Sequence, residues 1–218
     1  MIVLNVEQGS KEWHNARLGI PTASRFSQII TKTLKPSASA TGYMHELLGE
    51  WALGEPSNNF SSAFMERGIS TEEEAINYYE FEQEEDTKKV GFCLRDDRLV
   101  GCSPDRLVGE NGGLEIKVPS AKIHIAYLLG SPVADYHAQV QGCLYITGRE
   151  WWDILSFNPF MPPSLVRCQR DEAFITKLDG YLKIFLDKLS VEKEKLRAMQ
   201  ITGELENYDD FNEIFEGK

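Results

Sequence analysis

Asp105, Glu115 and Lys117 are the residues of this chain whose types and spacing point most directly to chemistry. They lie in Cys102-Ser-Pro-Asp-Arg-Leu-Val-Gly-Glu-Asn-Gly-Gly-Leu-Glu-Ile-Lys-Val-Pro119, where short apolar runs flank a turn rich in Gly and Asn. The pattern predicts a β-hairpin with one carboxylate on each side of its turn. Leu114, Ile116 and Val118 alternate with Glu115 and Lys117, and a strand's period of two places the acid and the amine on one face. Two hard carboxylates beside an ammonium suit metal-assisted phosphodiester hydrolysis. The acids hold Mg²⁺ or Mn²⁺ through oxygen, a hydrating water supplies the nucleophile, and the lysine orients that water or steadies charge on the phosphate. On spacing alone, a solvated hairpin with an E-x-K pair on its outer face fits as well.

The elements that must hold these residues read as an α/β fold with a central mixed β-sheet flanked by helices. Residues 10–17 and 22–32 predict short helices, the second with Thr22 as N-cap. Residues 41–54 predict a helix ending at Gly54, with Tyr43, Leu47, Leu48 and Trp51 on its apolar side. A long acidic helix is expected over 62–86, with a break near Gly68 left open. Strands are expected at about 88–95, 98–102, 113–118 and 151–157, with a helix from Tyr136 to Ile146 before the last. Residues 171–200 carry Phe174, Leu178, Leu182, Phe185 and Leu189 at a period of three to four, an amphipathic helix. Trp151 and Trp152 are expected in the core or at an interface. The chain reads as one nuclease domain over 1–218, its core at about 5–160, followed by C-terminal helices and an acidic tail over about 171–218. The end of that tail, Gly203 to Lys218, interleaves aromatics with acids and is expected to pack as a short helix or stay mobile.

Four blocks carry a family resemblance: Trp13-His-Asn-Ala-Arg-Leu-Gly-Ile-Pro-Thr-Ala-Ser24, Ser103-Pro-Asp-Arg-Leu, Gly113-Leu-Glu-Ile-Lys-Val-Pro119 and Ala138-Gln-Val-Gln141. In this order and at these spacings the chain resembles the phage lambda exonuclease family, the YqaJ-type viral recombinases of the PD-(D/E)XK nuclease superfamily, over roughly residues 5–160. The resemblance implies two Mg²⁺ per site, with Mn²⁺ as a substitute. Asp105 would bridge both ions, Glu115 and the backbone carbonyl of Ile116 would complete one site, and Lys117 would contact the attacking water. Glu72 aligns with the family's helix-borne acid for the second ion. Glu72, Ala75, Ile76 and Tyr79 share one helix face, which turns Glu72 toward the core, and Glu73 stays open as the alternative. Gln139 aligns with a glutamine beside the metals; it shares a helix face with Tyr136 and Cys143, where an amide is more often a satisfied core group. Arg17 and Ser24 align with family residues that bind the terminal 5′-phosphate, with Ser103 nearby as a further phosphate-binding candidate, and a planar guanidinium does match phosphate oxygens. Arg106 stands where the lambda enzyme has glycine, either touching DNA or pointing outward.

The implied activity is 5′→3′ digestion of one strand of double-stranded DNA, releasing 5′-mononucleotides and leaving a 3′ tail. Implied partners are double-stranded DNA ends, a single-strand annealing protein, and two further copies of the chain in a homotrimeric ring. An endonuclease of restriction or repair type, or a catalytically inactive DNA-binding protein, would fit fewer of the blocks. The net charge of −11 opposes a nucleic-acid enzyme, but it is local. Residues 61–86 carry one basic and nine acidic side chains, and residues 171–218 seven and twelve, while 87–170 carry ten and eight. Enclosure by a ring would then supply the grip that charge does not. No apolar stretch is long enough to span a membrane, and the start lacks signal-peptide features, so a cytoplasmic place is expected, and the resemblance implies that the cytoplasm is a bacterial host's and the origin a phage or prophage. Cys93, Cys102, Cys143 and Cys168 lack zinc-site or disulfide spacing.

Overall fold

The structure, a computed structural model, describes residues 1–57, 63–130 and 133–203. In chain order it comprises β1 (Ile2–Leu4), α1 (Lys11–Arg17), a 3-10 turn (Ala23–Gln28), α2 (Ala40–Leu53), α3 (Ala63–Gln83), β2 (Thr87–Lys88), β3 (Phe92–Leu94), β4 (Gly101–Cys102), β5 (Arg106–Val108), β6 (Gly112–Lys117), α4 (Ala121–Leu128), α5 (Val133–Thr147), β7 (Trp151–Ser156), β8 (Ser164–Gln169) and α6 (Glu172–Ala198). A five-stranded sheet runs β2-β5-β6-β7-β8, and a three-stranded sheet runs β1-β3-β4. The large sheet is mixed: β6 and β7 are parallel over six residues, and its other pairs are antiparallel.

Local chemistry explains most of the boundaries. Ser10 caps α1 by accepting from the Trp13 amide at 3.2 Å, and Asp171 caps α6 by accepting from Phe174 at 3.0 Å. Gly54 closes α2 in the left-handed region at φ 65°. The expected helix 22–32 is only the short 3-10 turn, because Ile30 bridges to Pro36 and the Thr31 amide donates to the Lys35 carbonyl at 2.8 Å, which draws the backbone out of the helix. Thr22 makes no side-chain cap; its amide donates to the Tyr43 hydroxyl at 3.0 Å. The acidic helix runs unbroken through Gly68. The expected strand 88–95 divides into β2 and β3, which belong to different sheets. Strands β1 and β8 and helix α4 were not anticipated.

Two apolar layers sandwich the large sheet. On one face α5 and α6 pack with Trp152, Ile154, Phe174, Leu178 and Leu182. On the other, Ala75, Ile76 and Tyr79 of α3 cover Val108, Leu114, Ile116 and Leu155. Trp152 is fully buried, whereas Trp151 is half-buried with the Arg167 guanidinium 3.7 Å above its ring. Gly113 lies in β6 itself: a Cβ there would stand 2.4 Å from the Trp152 ring, so glycine is what lets the indole lie on the strand. Residues 204–218, the greater part of the expected acidic tail, lie outside the described residues.

Candidate active site

The β5–β6 ladder stops at Arg106↔Leu114. Beyond it, the edge of β6 turned away from β7 carries no partner strand, and its free backbone groups must be satisfied otherwise. Asp105 does this: its Oδ2 accepts from the Ile116 amide at 2.6 Å. Because N–H and C=O of one strand residue face the same edge, the Ile116 carbonyl is presented on Asp105's side as well.

Glu115 and Lys117 share the opposite sheet face from Leu114 and Ile116, as the alternation requires. Glu115 Oε1 accepts from Lys117 Nζ at 2.5 Å and from Gln139 Nε2 of α5 at 2.7 Å. The Lys117 ammonium also lies 4.5 Å from the centre of the Tyr136 ring. Burial alone would lower the Lys117 pKa, but Glu115 by charge and hydrogen bond, with Asp105 behind it, holds it above the ordinary value. The Asp105 carboxyl is pushed well above the usual carboxylate range, first by burial, then by the charge of Glu115, with Glu72 adding to it. Ile116 and Lys117 offset part of that shift. Glu72 is half-buried and close enough for its charge to reach Asp105, whereas Glu73 is exposed, so the helix face favours Glu72.

Whether these residues suit a divalent cation can be judged from their own chemistry. Glu115 is only 5% exposed, yet its Oε2 has no hydrogen-bond partner, an expensive arrangement for a buried carboxylate oxygen. Two mutually repelling acids, one orphaned oxygen and a main-chain carbonyl form a hard-oxygen set that a cation would relieve. Among the described residues no three His, Cys, Asp or Glu side chains close on one point. The set is therefore two acids and a carbonyl, with Glu72 at longer range, and it fits Mg²⁺ or Mn²⁺ better than zinc.

Arg17 meets this site from α1. Its Nη1 donates to Ser103 Oγ at 2.6 Å, and its guanidinium lies 4.1 Å over the Trp13 ring. Ser103 Oγ also accepts from Trp13 Nε1 at 3.1 Å, which leaves the serine's own proton to donate elsewhere. Burial lowers the Arg17 pKa, and among the described residues no carboxylate pairs with it. A half-buried cation with no carboxylate hydrogen-bonded to it is suited to receive an anion. Ser24 is exposed at the same rim, its Oγ 3.4 Å from Thr22 Oγ1.

One cavity of about 280 Å³ joins the two groups: Arg17, Ser24, Ser103, Glu115, Lys117 and Gln139 all line it, with Cys102 and Cys143 also on its wall. An adjoining hollow of about 220 Å³ shares Arg17 and Ser24. Arg106 does not line the cavity. Its side chain starts on the Leu114 face and turns back to donate to the Asp105 carbonyl at 2.7 Å. Sequence reasoning did not select Trp13 or Tyr136 as site residues, although Trp13 opens the first quoted block and Tyr136 was placed on Gln139's face.

The alkaline exonuclease LHK-Exo from Laribacter hongkongensis, known also in complex with dAMP, is 34% identical; the match covers 88% of this chain and 98% of that one, with a TM-score of 0.78. A phage-related exonuclease from Haemophilus somnus 129PT shares the fold at 16% identity, covering 79% of this chain and 96% of that one, with a TM-score of 0.61. Comparison with curated proteins gives no match. The architecture is thus that of alkaline exonucleases of the PD-(D/E)XK type. The family model for the YqaJ-like viral recombinase domain matches residues 12–150, the span that holds Arg17, Asp105, Glu115, Lys117 and Gln139, and the chain belongs to that family.

Proposed function

We propose that this exonuclease digests one strand of double-stranded DNA from a 5′-phosphorylated end, with Mg²⁺ or Mn²⁺ as cofactor, releasing 5′-mononucleotides and leaving a 3′ single-stranded tail. The observation that carries this reading is the shared cavity: Arg17, with no carboxylate hydrogen-bonded to it among the described residues, stands at one side, and Glu115 and Lys117 stand at the other. A terminal phosphate on Arg17, Ser24 and Ser103 would set the next phosphodiester against Glu115 and Lys117. The dAMP complex of LHK-Exo supports a mononucleotide product.

In this reading each side chain has a defined task. Gln139 orients Glu115, and the Ile116 amide fixes Asp105. Lys117, held charged by Glu115, orients the attacking water and steadies negative charge on the phosphate. Asp105, Glu115, the Ile116 carbonyl and Glu72 would hold the cations. When bound, Mg²⁺ or Mn²⁺ supplies Lewis acidity at the phosphate and eases ionisation of water.

The acidic chain would keep its grip by topology, as a homotrimeric ring around the duplex, handing the tail to a single-strand annealing protein in the host cytoplasm. Exposed Leu129 and Phe160 offer apolar surface that neighbouring copies would cover. No helix among the described residues is long and apolar enough to cross a membrane.

The test is digestion of linear duplexes with and without a 5′-phosphate, in Mg²⁺ and in EDTA, beside a closed circle. Loss of the phosphorylated linear DNA alone, in Mg²⁺ alone, is the expected result. Cutting of the circle would replace the reading with an endonuclease, and digestion in EDTA would remove the cation.

A further inference from the structure

We propose that Tyr79, bonded to the buried Asp153 that Arg167 grips from the surface, is a positioning residue that sets the register of α3 and so holds Glu72 within reach of Asp105. The inference rests on the cation site proposed above. α3 crosses the sheet face opposite Glu115 and Lys117, with Ala75, Ile76 and the Tyr79 ring on Val108, Leu114, Ile116 and Leu155. Such packing is non-directional and by itself defines the helix's rotation and slide only loosely.

One directional contact stands inside that apolar layer. Tyr79 Oη donates to Asp153 Oδ2 at 2.7 Å. Asp153 is only 1% exposed and is fixed by the Arg167 fork, Nε to Oδ1 at 2.9 Å and Nη2 to Oδ2 at 2.8 Å. Trp151 braces the guanidinium from below. Burial, and then the bond to Asp153, push the Tyr79 hydroxyl well above its usual pKa, so it stays protonated and remains a donor.

Glu72 stands two helical turns, roughly 10 Å, before Tyr79 on the same face. Among the described residues it makes no hydrogen bond or ion pair of its own, so its place depends on where the helix lies. Because the Arg167 guanidinium is exposed, its pair with Asp153 contributes little to stability, and the directional bond from Tyr79 to the fixed carboxylate is what the apolar packing lacks. Asp153 belongs to β7, which is paired residue for residue with β6 from Gly112↔Trp151 to Lys117↔Ser156. The pin therefore references α3 to the strand that carries Glu115.

The experiment compares Tyr79→Phe, which keeps the ring and removes the hydroxyl, with Ile76→Val, which trims the same layer and leaves the pin. Mn²⁺ binding to the full chain is measured by isothermal titration calorimetry without DNA, alongside the Mg²⁺ concentration giving half-maximal digestion. Tyr79→Phe should weaken Mn²⁺ binding about tenfold, the low end of what lost outer contacts cost a metal site. Excess Mg²⁺ should restore its rate, and Ile76→Val should bind Mn²⁺ as the parent does. Unchanged binding in Tyr79→Phe, or equal weakening in both variants, would overturn the pin. Glu115→Gln and Glu72→Gln separate the layers of the argument: if Glu115→Gln leaves Mn²⁺ binding unaltered the cation-site reading itself fails, and if only Glu72→Gln does so Glu72 is no ligand and the pin is overturned with it. If Glu72→Gln weakens binding and Tyr79→Phe does not, the pin alone fails.

Discussion

Asp105→Asn should stabilise the cation-free chain while abolishing digestion. Burial first, then the charges of Glu115 and Glu72, lift the Asp105 carboxyl well above its ordinary range in the folded state. Two like charges about 5 Å apart repel by about 3 kcal/mol at an effective dielectric near 20. Lys117 and the Ile116 amide cancel part of that repulsion, leaving a net cost of about 1–2 kcal/mol at neutral pH. Asparagine keeps an oxygen for the Ile116 amide, now 2.6 Å from Asp105 Oδ2, and removes the charge. At about 2–4 °C per kcal/mol for a chain of this size, the melting temperature in EDTA should rise by about 2–8 °C. The pH dependence follows from the direction of the shift. A raised folded pKa means that the folded state binds this proton more tightly, so the stability it contributes is complete below the unfolded value of about 3.9 and is lost as pH climbs through the raised folded value. The advantage of Asp105→Asn should therefore be largest at neutral and alkaline pH and vanish toward pH 4. Thermal melts from pH 4 to 9 measure this directly. Repeating them in Mg²⁺ adds a second reading: a ligand at ten times its Kd stabilises by about 1.4 kcal/mol, and only the parent should gain it. A variant less stable than the parent in EDTA at pH 8, or equally stabilised by Mg²⁺, would refute the claim that Asp105 is held against its own electrostatics for the sake of a cation.

Lys117→Ala should lose turnover while keeping DNA binding largely intact, read by single-turnover cleavage beside fluorescence anisotropy; normal turnover would remove Lys117 from the site. Because Glu115 and Asp105 hold the Lys117 amine above its ordinary value, the parent's rate should not fall through loss of that proton in the mildly alkaline range, and a descending limb centred near pH 8–9 that moves in Glu115→Gln would contradict this. Arg17→Ala removes charge-assisted bonds worth about 1.5–3 kcal/mol, so kcat/KM should fall about 10- to 100-fold on 5′-phosphorylated ends and hardly at all on 5′-hydroxyl ends. Gly113→Ala drives a Cβ to 2.4 Å from the Trp152 ring and should cost about 1–3 kcal/mol of stability by overpacking, measured by denaturant melts.

Glu115 and Lys117 were legible as a pair because a strand's alternation is local. Seeing both on one face needed only the residues between them, and the 2.5 Å bond between them bears that geometry out. Asp105 was legible as lying across a hairpin, but its bond to the Ile116 amide follows from where the β5–β6 ladder stops, and turn composition does not fix that residue. Gln139 was expected beside the metals by family resemblance alone, and its bond to Glu115 comes from the fold. Helical spacing gives a face but not the strand it meets. Gly112 was assigned to the turn and Gly113 to the first position of the strand, and their second constraint, the indoles of Trp151 and Trp152 lying against them, comes from β7, about forty residues later in the chain.

Two of the missed elements, α4 and β8, share one cause, a binary pattern that points the wrong way. In α4 the side chain at 0% exposure is His124, held by Ser156 at 2.8 Å and the Pro162 carbonyl at 2.9 Å, while Ile123 and Ile125 face outward. Apolar periodicity identifies a helix by its buried stripe, and here the polar residue is the buried one. Strand β8 alternates only weakly, with Leu165 exposed and Arg167 reaching over to Asp153; it is a strand because β7 pairs with it along six residues. Asp153 is the informative exception. An acid within Trp-Trp-Asp-Ile-Leu-Ser, a run that is otherwise mostly apolar, requires a partner if the strand is central, since an unpaired buried carboxylate would neutralise or unfold its surroundings. That requirement was legible at position 153. What no local pattern could supply was the identity of the partners, one of them Tyr79, 74 residues earlier on the helix that also carries Glu72.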